Sequence, residues 1–159
     1  GATVIVAQLT MIPMALLAAW LAGRRGYWIV LLLALIALPI RGAIAAWLTQ
    51  PIGLVPVQML DGVGAGLLGV AVPGLVARIL AGTGHINAGL GAVMTCQGIG
   101  AALSPTLGGL IAQHFGYSAA FAALGFAALL ALTLWVLTRP LTAQACGHTP
   151  AETLPQAAE

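Results

Sequence analysis

The sequence predicts an all-α polytopic membrane protein with five transmembrane helices, and three observations support this prediction. Charged residues make up 5% of the 159 residues, where a soluble domain averages about 25%. Hydrophobic residues reach 61%, and the mean hydropathy is +1.08. Five continuous apolar runs each approach or exceed the roughly 20 residues that span a bilayer, and they lack the alternation of barrel strands.

The five runs follow one another with short polar or glycine-containing breaks. They cover about residues 2–22, 27–48, 54–80, 88–112 and 118–138. Together they predict one incomplete helical bundle over residues 1–138. Residues 139–159 are rich in proline, alanine and polar residues, and we expect a disordered tail there. The chain begins with glycine inside an apolar run, which suggests a piece of a longer protein.

The arginines predict the orientation of the bundle in the membrane. If successive runs alternate in direction, four of the five arginines lie on one side, and such an excess is typical of the cytoplasmic side. These four are Arg24, Arg25, Arg78 and Arg139. We therefore expect the N-terminus of the chain outside and the tail in the cytoplasm. The tryptophans lie near the ends of the runs, where they would anchor the helices at the interfaces.

A single carboxylate interrupts the third apolar run: Asp61 is the only acidic residue before Glu152. A charge near mid-membrane costs roughly 2.5–3.5 kcal/mol. At about 1.5 Å per residue, Asp61 lies roughly 25 Å from the cytoplasmic end of its helix, and Arg41 lies roughly 24 Å from the same face. The matching depth permits an Arg41–Asp61 ion pair. Alternatively, Arg41 snorkels to the outer interface and Asp61 alone faces a watery cavity.

A polar patch surrounds Asp61 under either alternative, because Gln58 lies on the same helical face. An intramembrane carboxylate favours a functional role over a purely structural lock between two helices. A carboxylate paired with arginine would take up protons less readily, and the proton-coupling acid would then lie outside this chain. The candidates for binding substrate or a proton are Asp61, Gln58, Arg41 and Gln97.

Small residues predict where helices pack closely or bend. Gly62 and Gly66 form a GxxxG pair, a spacing that lets helix backbones approach where lipid provides no hydrophobic force. In the fourth run small residues recur along one face, Gln97 and Ser104 lie on an adjacent face, and Pro105 frees a backbone carbonyl. This pattern is typical of helices that gate transporters, and close packing alone explains it equally well.

Several functional classes lack support in the sequence. A net charge of +2 with scattered arginines does not indicate a nucleic-acid partner. No histidine, cysteine or carboxylate cluster has metal-ligand spacing, and we expect neither a metal nor a cofactor. One intramembrane carboxylate is insufficient for an aspartyl protease, and the HExxH motif of zinc proteases is absent. We therefore do not expect an enzyme.

The fourth and fifth runs carry two stretches that resemble motifs of the major facilitator superfamily. GIGAALSPTLGG is similar to the signature G-x-x-x-G-P-x-x-G-G, with serine at one position where glycine is usual. The following FGYSAAF, at 115–121, is similar to the F-G-W-R-x-x-F entry to the next helix. The residues at the positions of the first motif are Gly100, Ser104, Pro105, Gly108 and Gly109.

Two earlier stretches resemble motifs of the same superfamily. VQMLDGVGAG is similar to R-x-x-x-G-x-G-x-G, with Gln58 in place of the arginine. LAGRRG resembles the cytoplasmic loop G-x-x-x-D-R-x-G-R-R and keeps Arg24 and Arg25 without the aspartate. The order of the four stretches implies helices eight to twelve of a twelve-helix major facilitator fold, with the N-terminal half and the seventh helix missing.

The resemblance also implies a function. It implies a secondary transporter of a small organic solute that works by alternating access, coupled to protons, in a bacterial inner membrane. The third helix would line the central cavity with Gln58 and Asp61, and the first and fourth helices would meet the opposite half. The expected partners are the lipid bilayer, the missing half and a small-molecule substrate. A non-transporting scaffold or receptor is the alternative, followed by an intramembrane enzyme.

Overall fold

The computed structural model describes residues 2–47 and 54–146. Within these ranges five helices are long and apolar enough to cross a membrane, which confirms the predicted fold class. Each corresponds to one of the predicted runs, with ends shifted by a few residues. They are α1 (Ala2–Arg25), α2 (Tyr27–Trp47), α3 (Leu54–Ile79), α4 (Ile86–Phe115) and α5 (Tyr117–Leu137).

Single glycines make two of the connections between helices. Gly26 joins α1 to α2 with φ of 79°, and Gly116 joins α4 to α5 with φ of 86°. Each donates its backbone N–H over 3.0 Å to a carbonyl four residues earlier, on Ala22 and Ala112 respectively. Glycine adopts this left-handed conformation without steric cost. One helix therefore ends and the next begins within a single residue.

The helices pack side by side in the order α1, α3, α2, α5, α4. Helix α3 contacts α1 and α2 along their lengths, and α2 contacts α5 in the same way. Helix α4 packs on α5 and has only minor contacts with α3, and none of its residues is buried within the described part of the chain. The apolar core lies where α1, α2 and α3 meet and consists of Ala18, Val30, Leu31, Ala34, Leu67 and Ala71.

The glycine pair of α3 lies directly against α1. A Cβ atom at Gly66 would lie 2.7 Å from the backbone oxygen of Met11 and 2.9 Å from the Cβ of Met14. A Cβ atom at Gly62 would collide with the backbone oxygen of Ala7. The two backbones therefore approach as closely as they do because neither glycine carries a side chain.

A second close approach joins α2 to α5, and the sequence reasoning did not anticipate it. A Cβ atom at Gly42 would lie 2.7 Å from the Cα of Gly125. Near the same end of the two helices, the hydroxyl of Ser118 donates a hydrogen bond of 2.9 Å to the carbonyl oxygen of Ala46. Because Gly42 follows Arg41 directly, this contact also fixes the part of α2 that carries the arginine.

The predicted disordered tail is wrong over its first eight residues, which form helix α6 (Arg139–Cys146). Pro140 fits the first helical turn, where its missing N–H leaves no hydrogen bond unmade. The carbonyl oxygen of Thr138 accepts two backbone hydrogen bonds of 3.0 Å from that turn. Helix α6 contacts α2, α3 and α5, and Cys146 is only 1% exposed. The remainder of the predicted tail, from residue 147, lies outside the described residues.

Aromatic rings and arginines meet at the end of the bundle where α1 and α5 end and α2 begins. Trp28 stacks on Trp135 with 6.5 Å between ring centroids. The guanidinium of Arg139 lies 4.9 Å from the ring centroid of Trp28, and that of Arg24 lies 4.6 Å from the ring centroid of Trp20. Each cation–π contact stabilises by about 0.5–1 kcal/mol. These contacts join α2, α5 and the first residue of α6.

The substitution Gly66→Ala tests the close approach of α1 and α3. We expect a loss of about 1–3 kcal/mol in the free energy of unfolding, because the added methyl group meets backbone atoms that cannot move independently. The matched control is Gly64→Ala on the same helix, where the new Cβ would lie 3.9 Å from a side-chain carbon of Leu38. SDS titration of the purified protein in mixed micelles measures both. Equal stability of the two variants would contradict the proposed packing.

Labelling of Cys146 by a maleimide tests whether α6 packs against the bundle. Burial raises the pKa of the Cys146 thiol, and the guanidinium of Arg78 offsets part of this rise. Since the thiolate is the reactive form, we expect labelling at neutral pH to be roughly tenfold or more slower in the folded protein than after unfolding in SDS. The rate should rise as the pH is raised. The measurement uses a Cys96→Ala background, and labelling at the rate of a free thiol would show that α6 is not docked.

Candidate functional site

Arg41 and Asp61 form an ion pair between two consecutive helices. Arg41 lies in the last third of α2, and Asp61 lies in the first third of α3. The distance from Arg41 Nη1 to Asp61 Oδ1 is 2.7 Å. Of the two alternatives that the sequence left open, the structure therefore shows the pair. Its two charges lie within helices that are apolar enough to cross a membrane.

The ion pair is partly open to its surroundings. The side chain of Arg41 is 34% exposed and that of Asp61 is 43% exposed. An exposed ion pair contributes about 0–1 kcal/mol, whereas removing one partner of a buried pair costs about 3–5 kcal/mol. Because both side chains are partly exposed, we expect the free-energy cost of removing one partner of this pair to lie between those two values. Both charged groups can therefore reach a ligand or water while they neutralise one another.

Asp61 faces a small groove between α1 and α3, which we call the Asp61 groove. It has a volume of about 100 Å³, and Gln8 is the second polar residue that lines it. The remaining wall is made of small or apolar residues. The residues that line the Asp61 groove are Ala7, Gln8, Met11, Asp61, Gly62 and Ala65.

Arg41 faces a larger groove between α2, α4 and α5, which we call the Arg41 groove. It has a volume of about 300 Å³ and is lined among others by Arg41, Ser104, Pro105, Tyr117, Phe121 and Leu124. A cavity of about 210 Å³ shares the arginine and serine and continues along α2 and α5. The ion pair thus lies between two grooves, and each groove is open to one of the two charges.

The structure brings some of the predicted site residues together and leaves others apart. Ser104, Pro105, Gly108 and Gly109 line the Arg41 groove, so most of the motif in α4 faces the arginine. Gly100 lies one turn earlier, and a Cβ atom there would have no neighbour within 4 Å in the described part of the chain.

The two predicted glutamines differ in position. Gln58 is half-buried on α3, one turn before Asp61, and lines neither groove. Gln97 is exposed on α4 and also lines neither groove. Arg24 and Arg25 lie at the end of α1, on a different part of the molecule from the ion pair.

Sequence reasoning missed two polar residues of the grooves. Gln8 lines the Asp61 groove, and its amide within an apolar run was a signal that could have identified it. Tyr117 lines the Arg41 groove, but a tyrosine at a helix end is also typical of an interfacial anchor. Nothing in the sequence distinguished these two roles. No group of residues suited to hold a metal ion occurs among the residues that the structure describes.

Comparison with known proteins places this chain in a family. The sequence profile of the Major Facilitator Superfamily matches residues 1–154. The chain belongs to the major facilitator superfamily. Two relatives within this superfamily are uncharacterized MFS-type transporters of Mycobacterium tuberculosis, from the strains CDC 1551 and H37Rv. Each is 39% identical over 139 residues, which cover 87% of this chain and 33% of the relative.

A solved structure agrees with this assignment at the level of the fold. The crystal structure of the peptide transporter POT, determined as a mutant in complex with alafosfalin, matches with a TM-score of 0.77 at 22% identity. The match covers 94% of this chain and 32% of the transporter. The superfamily member described here therefore spans about a third of the length of the proteins that it matches, and its five helices have the arrangement found in a transporter.

A double-mutant cycle tests the coupling between Arg41 and Asp61. We expect Asp61→Asn and Arg41→Gln each to lower the free energy of unfolding, because each leaves the opposite charge without its partner. The double variant should recover part of the loss, with a coupling energy on the order of 1–2 kcal/mol for a partly exposed pair. SDS titration in mixed micelles measures all three variants. Strictly additive losses would show that the two side chains do not interact.

Proposed function

We propose that this chain is the C-terminal part of a secondary active transporter that moves a small organic solute by alternating access. The observation that carries this proposal is the Arg41–Asp61 pair, whose two charges lie within apolar helices and open on separate grooves. Ionisable residues in such positions mark the paths of substrates and ions through membranes. Membership of the superfamily favours transport over catalysis.

The exposed surface of α4 is an argument that the protein has a second half outside this chain. Positions such as Gly91, Gly98 and Gly109 would give an added Cβ atom no neighbour within 4 Å in the described chain. Small residues of this kind allow close approach of another helix in lipid. The relatives of this chain are more than twice its length, since the 139 aligned residues cover 33% of each. We therefore propose that α1 and α4 face an N-terminal half outside this chain, and that the two halves move relative to each other.

We propose that a proton gradient drives transport and that the coupling acid lies in the N-terminal half. Asp61 is the only acidic residue within the described part of the chain, and its pairing with Arg41 requires the ionised carboxylate. The ion pair already engages this carboxylate, which supports an acid outside the described residues as the group that binds the coupling proton. Asp61 then serves to hold the arginine between the two grooves. Gln58 on the same helix and Gln97 on α4 are further candidates for polar contacts with the solute.

We propose a bacterial inner membrane as the location, with the N-terminus of this chain outside and its end in the cytoplasm. The arginines at the ends of α1 and α3 and at the start of α6 support this orientation, because cytoplasmic segments carry an excess of arginine and lysine. Arg139, which begins α6, lies over Trp28 at the same end. The opposite end of the bundle is poorer in charge, since its nearest arginine is Arg41, within α2.

The substitution Asp61→Asn tests the functional role of the ion pair. In the complete transporter we expect solute flux driven by a proton gradient to fall several-fold, because the guanidinium of Arg41 loses the group that holds it. Everted membrane vesicles with a pH-sensitive dye report the flux when a panel of amino acids, short peptides and organic acids is added. Unchanged flux would remove Asp61 from the functional site.

The double variant Arg41→Gln with Asp61→Asn separates function from folding. It restores charge balance, so it should recover part of the stability that each single variant loses, while its flux should stay low. Recovery of both stability and flux would mean that the pair is only a structural lock. If the unmodified complete protein supports no flux with any solute, the scaffold or receptor alternative would replace the transporter.

A further inference from the structure

Helix α6 is fixed to the end of α5 by hydrogen bonds of the one residue between them. The backbone N–H and the hydroxyl of Thr138 both donate to the carbonyl oxygen of Leu134, over 2.9 Å and 2.8 Å. The carbonyl oxygen of Thr138 accepts from the backbone N–H groups of Leu141 and Thr142, each over 3.0 Å. It also accepts from the hydroxyl of Thr142 over 3.1 Å. These bonds set the direction of α6 relative to α5.

Contacts at the two ends of α6 connect it to helices other than α5. At its first residue, the guanidinium of Arg139 lies 4.9 Å from the ring centroid of Trp28, the second residue of α2. At its last residue, Cys146 is 1% exposed. Burial raises the pKa of the Cys146 thiol, and the guanidinium of Arg78 in the last turn of α3 lowers it. Helix α6 therefore lies across α2, α3 and α5.

The part of α3 that α6 reaches follows a break in the backbone hydrogen bonds of that helix. Pro73 lies within α3 and has no N–H to donate to the carbonyl four residues earlier, which allows a helix to bend. Beyond this proline, a Cβ atom at Gly74 would lie 2.5 Å from the hydroxyl oxygen of Tyr27 on α2. Segment 74–79 thus has its own contacts with α2 and α6, and Pro73 separates it from the part of α3 that carries Asp61.

A hydrogen-bonded turn connects segment 74–79 to α4. The backbone N–H and the hydroxyl of Thr83 donate to the carbonyl oxygen of Leu80, over 3.1 Å and 2.7 Å. The backbone N–H of His85 donates to the hydroxyl oxygen of Thr83 over 3.2 Å. In the first turn of α4, the backbone N–H of Gly89 donates to the carbonyl oxygen of His85 over 3.0 Å. A movement of segment 74–79 is therefore passed on to the start of α4.

From these contacts we propose that α6 is a strap that holds segment 74–79 of α3 against α2 and α5 and limits how often this segment moves. The inference rests on the proposed transport function, in which α4 and the N-terminal half move relative to each other. A contact that is made in one arrangement and lost in another shifts the equilibrium toward the first. Docked α6 therefore favours the arrangement described here and slows the exchange of the transporter between its conformations.

A distance measurement between two spin labels in the complete protein tests the strap without any transport. The labels are attached through Ala81→Cys, after α3, and Leu137→Cys, at the end of α5; both positions are exposed. In the reference protein the native cysteines are replaced by alanine, which is small enough for the buried position 146. Double electron–electron resonance in nanodiscs gives the distribution of distances between the two labels. With α6 docked, we expect one principal distance.

Two lysine substitutions on α6 form a matched pair in this reference protein. Cys146→Lys places a charge at a position that is 1% exposed and close to the guanidinium of Arg78. It should undock α6 and lower the ratio of the principal distance to other distances roughly tenfold or more. Leu141→Lys places the same charge at a position that is 81% exposed and should leave the distribution unchanged. Equal distributions for the two variants would overturn the proposal.

A milder substitution at the other end of α6 requires no buried charge, so it keeps the test decisive if Cys146→Lys does not fold. Arg139→Gln removes the cation–π contact with Trp28 and should lower the same ratio about twofold to fivefold. Arg139→Lys keeps a cation at this position and should change the ratio less. An unchanged distribution in Arg139→Gln would show that α6 is not a strap held at both ends.

Solute flux in proteoliposomes separates the strap from the proposed transport function. If the complete protein carries a solute, Cys146→Lys should raise the initial rate of flux several-fold above that of Leu141→Lys, because the end of α3 moves more often. Equal rates of these two variants, together with different distance distributions, would remove the role of α6 in transport. Absence of flux with every solute would remove the transport function, while the distance distributions would still decide whether α6 holds α3.

Discussion

Helices in a bilayer have little hydrophobic reason to associate, because lipid tails are as apolar as leucine side chains. Close packing must then supply the attraction, and close packing requires small residues where two backbones meet. In this protein the α1–α3 contact depends on Gly62 and Gly66, and the α2–α5 contact depends on Gly42 and Gly125. Gly62 directly follows Asp61 and Gly42 directly follows Arg41, so these two contacts also fix the helix segments that carry the ion pair.

The same constraint explains why α4 differs from the other helices. It carries many glycines, yet among the described residues several of them have no neighbouring atom within 4 Å of an added Cβ, and none of the helix's residues is buried there. A helix with this composition gains little from contact with lipid and much from contact with another helix. The described bundle therefore has one tightly packed side, at α1, α2 and α3, and one side, at α4, where small residues lack close neighbours within the described residues.

Sequence reasoning predicted the helices and offered the ion pair as one of two alternatives, because both depend on simple geometry. Apolar run length defines a transmembrane helix, and a constant rise per residue gave matching depths for Arg41 and Asp61. It did not reach the contact of Gly42 with Gly125, since an isolated glycine has no spacing pattern to recognise. It also missed helix α6, because the polar composition of that segment indicates disorder, and the surface that buries Cys146 belongs to helices distant in the sequence.

The rise per residue predicted that Arg41 and Asp61 lie at the same depth in the membrane. It could not predict which grooves the two side chains face. Whether Arg41 and Asp61 open on one groove or two depends on how α4 and α1 lie against their neighbours, which is set by contacts between distant segments. For the same reason Gln97 seemed equivalent to Ser104 from its position on α4, although only Ser104 lines the Arg41 groove. Local periodicity defines the face of a helix, and tertiary packing decides what that face meets.

An ion pair in apolar surroundings is weak evidence for stability, because well-packed hydrophobic residues often stabilise as much or more. The proposed transport function gives another reason for its presence between α2 and α3. The two charges face different grooves, so the loss of either residue leaves an uncompensated charge beside one groove. The pair therefore keeps both grooves free of an unpaired charge, which neither helix achieves alone.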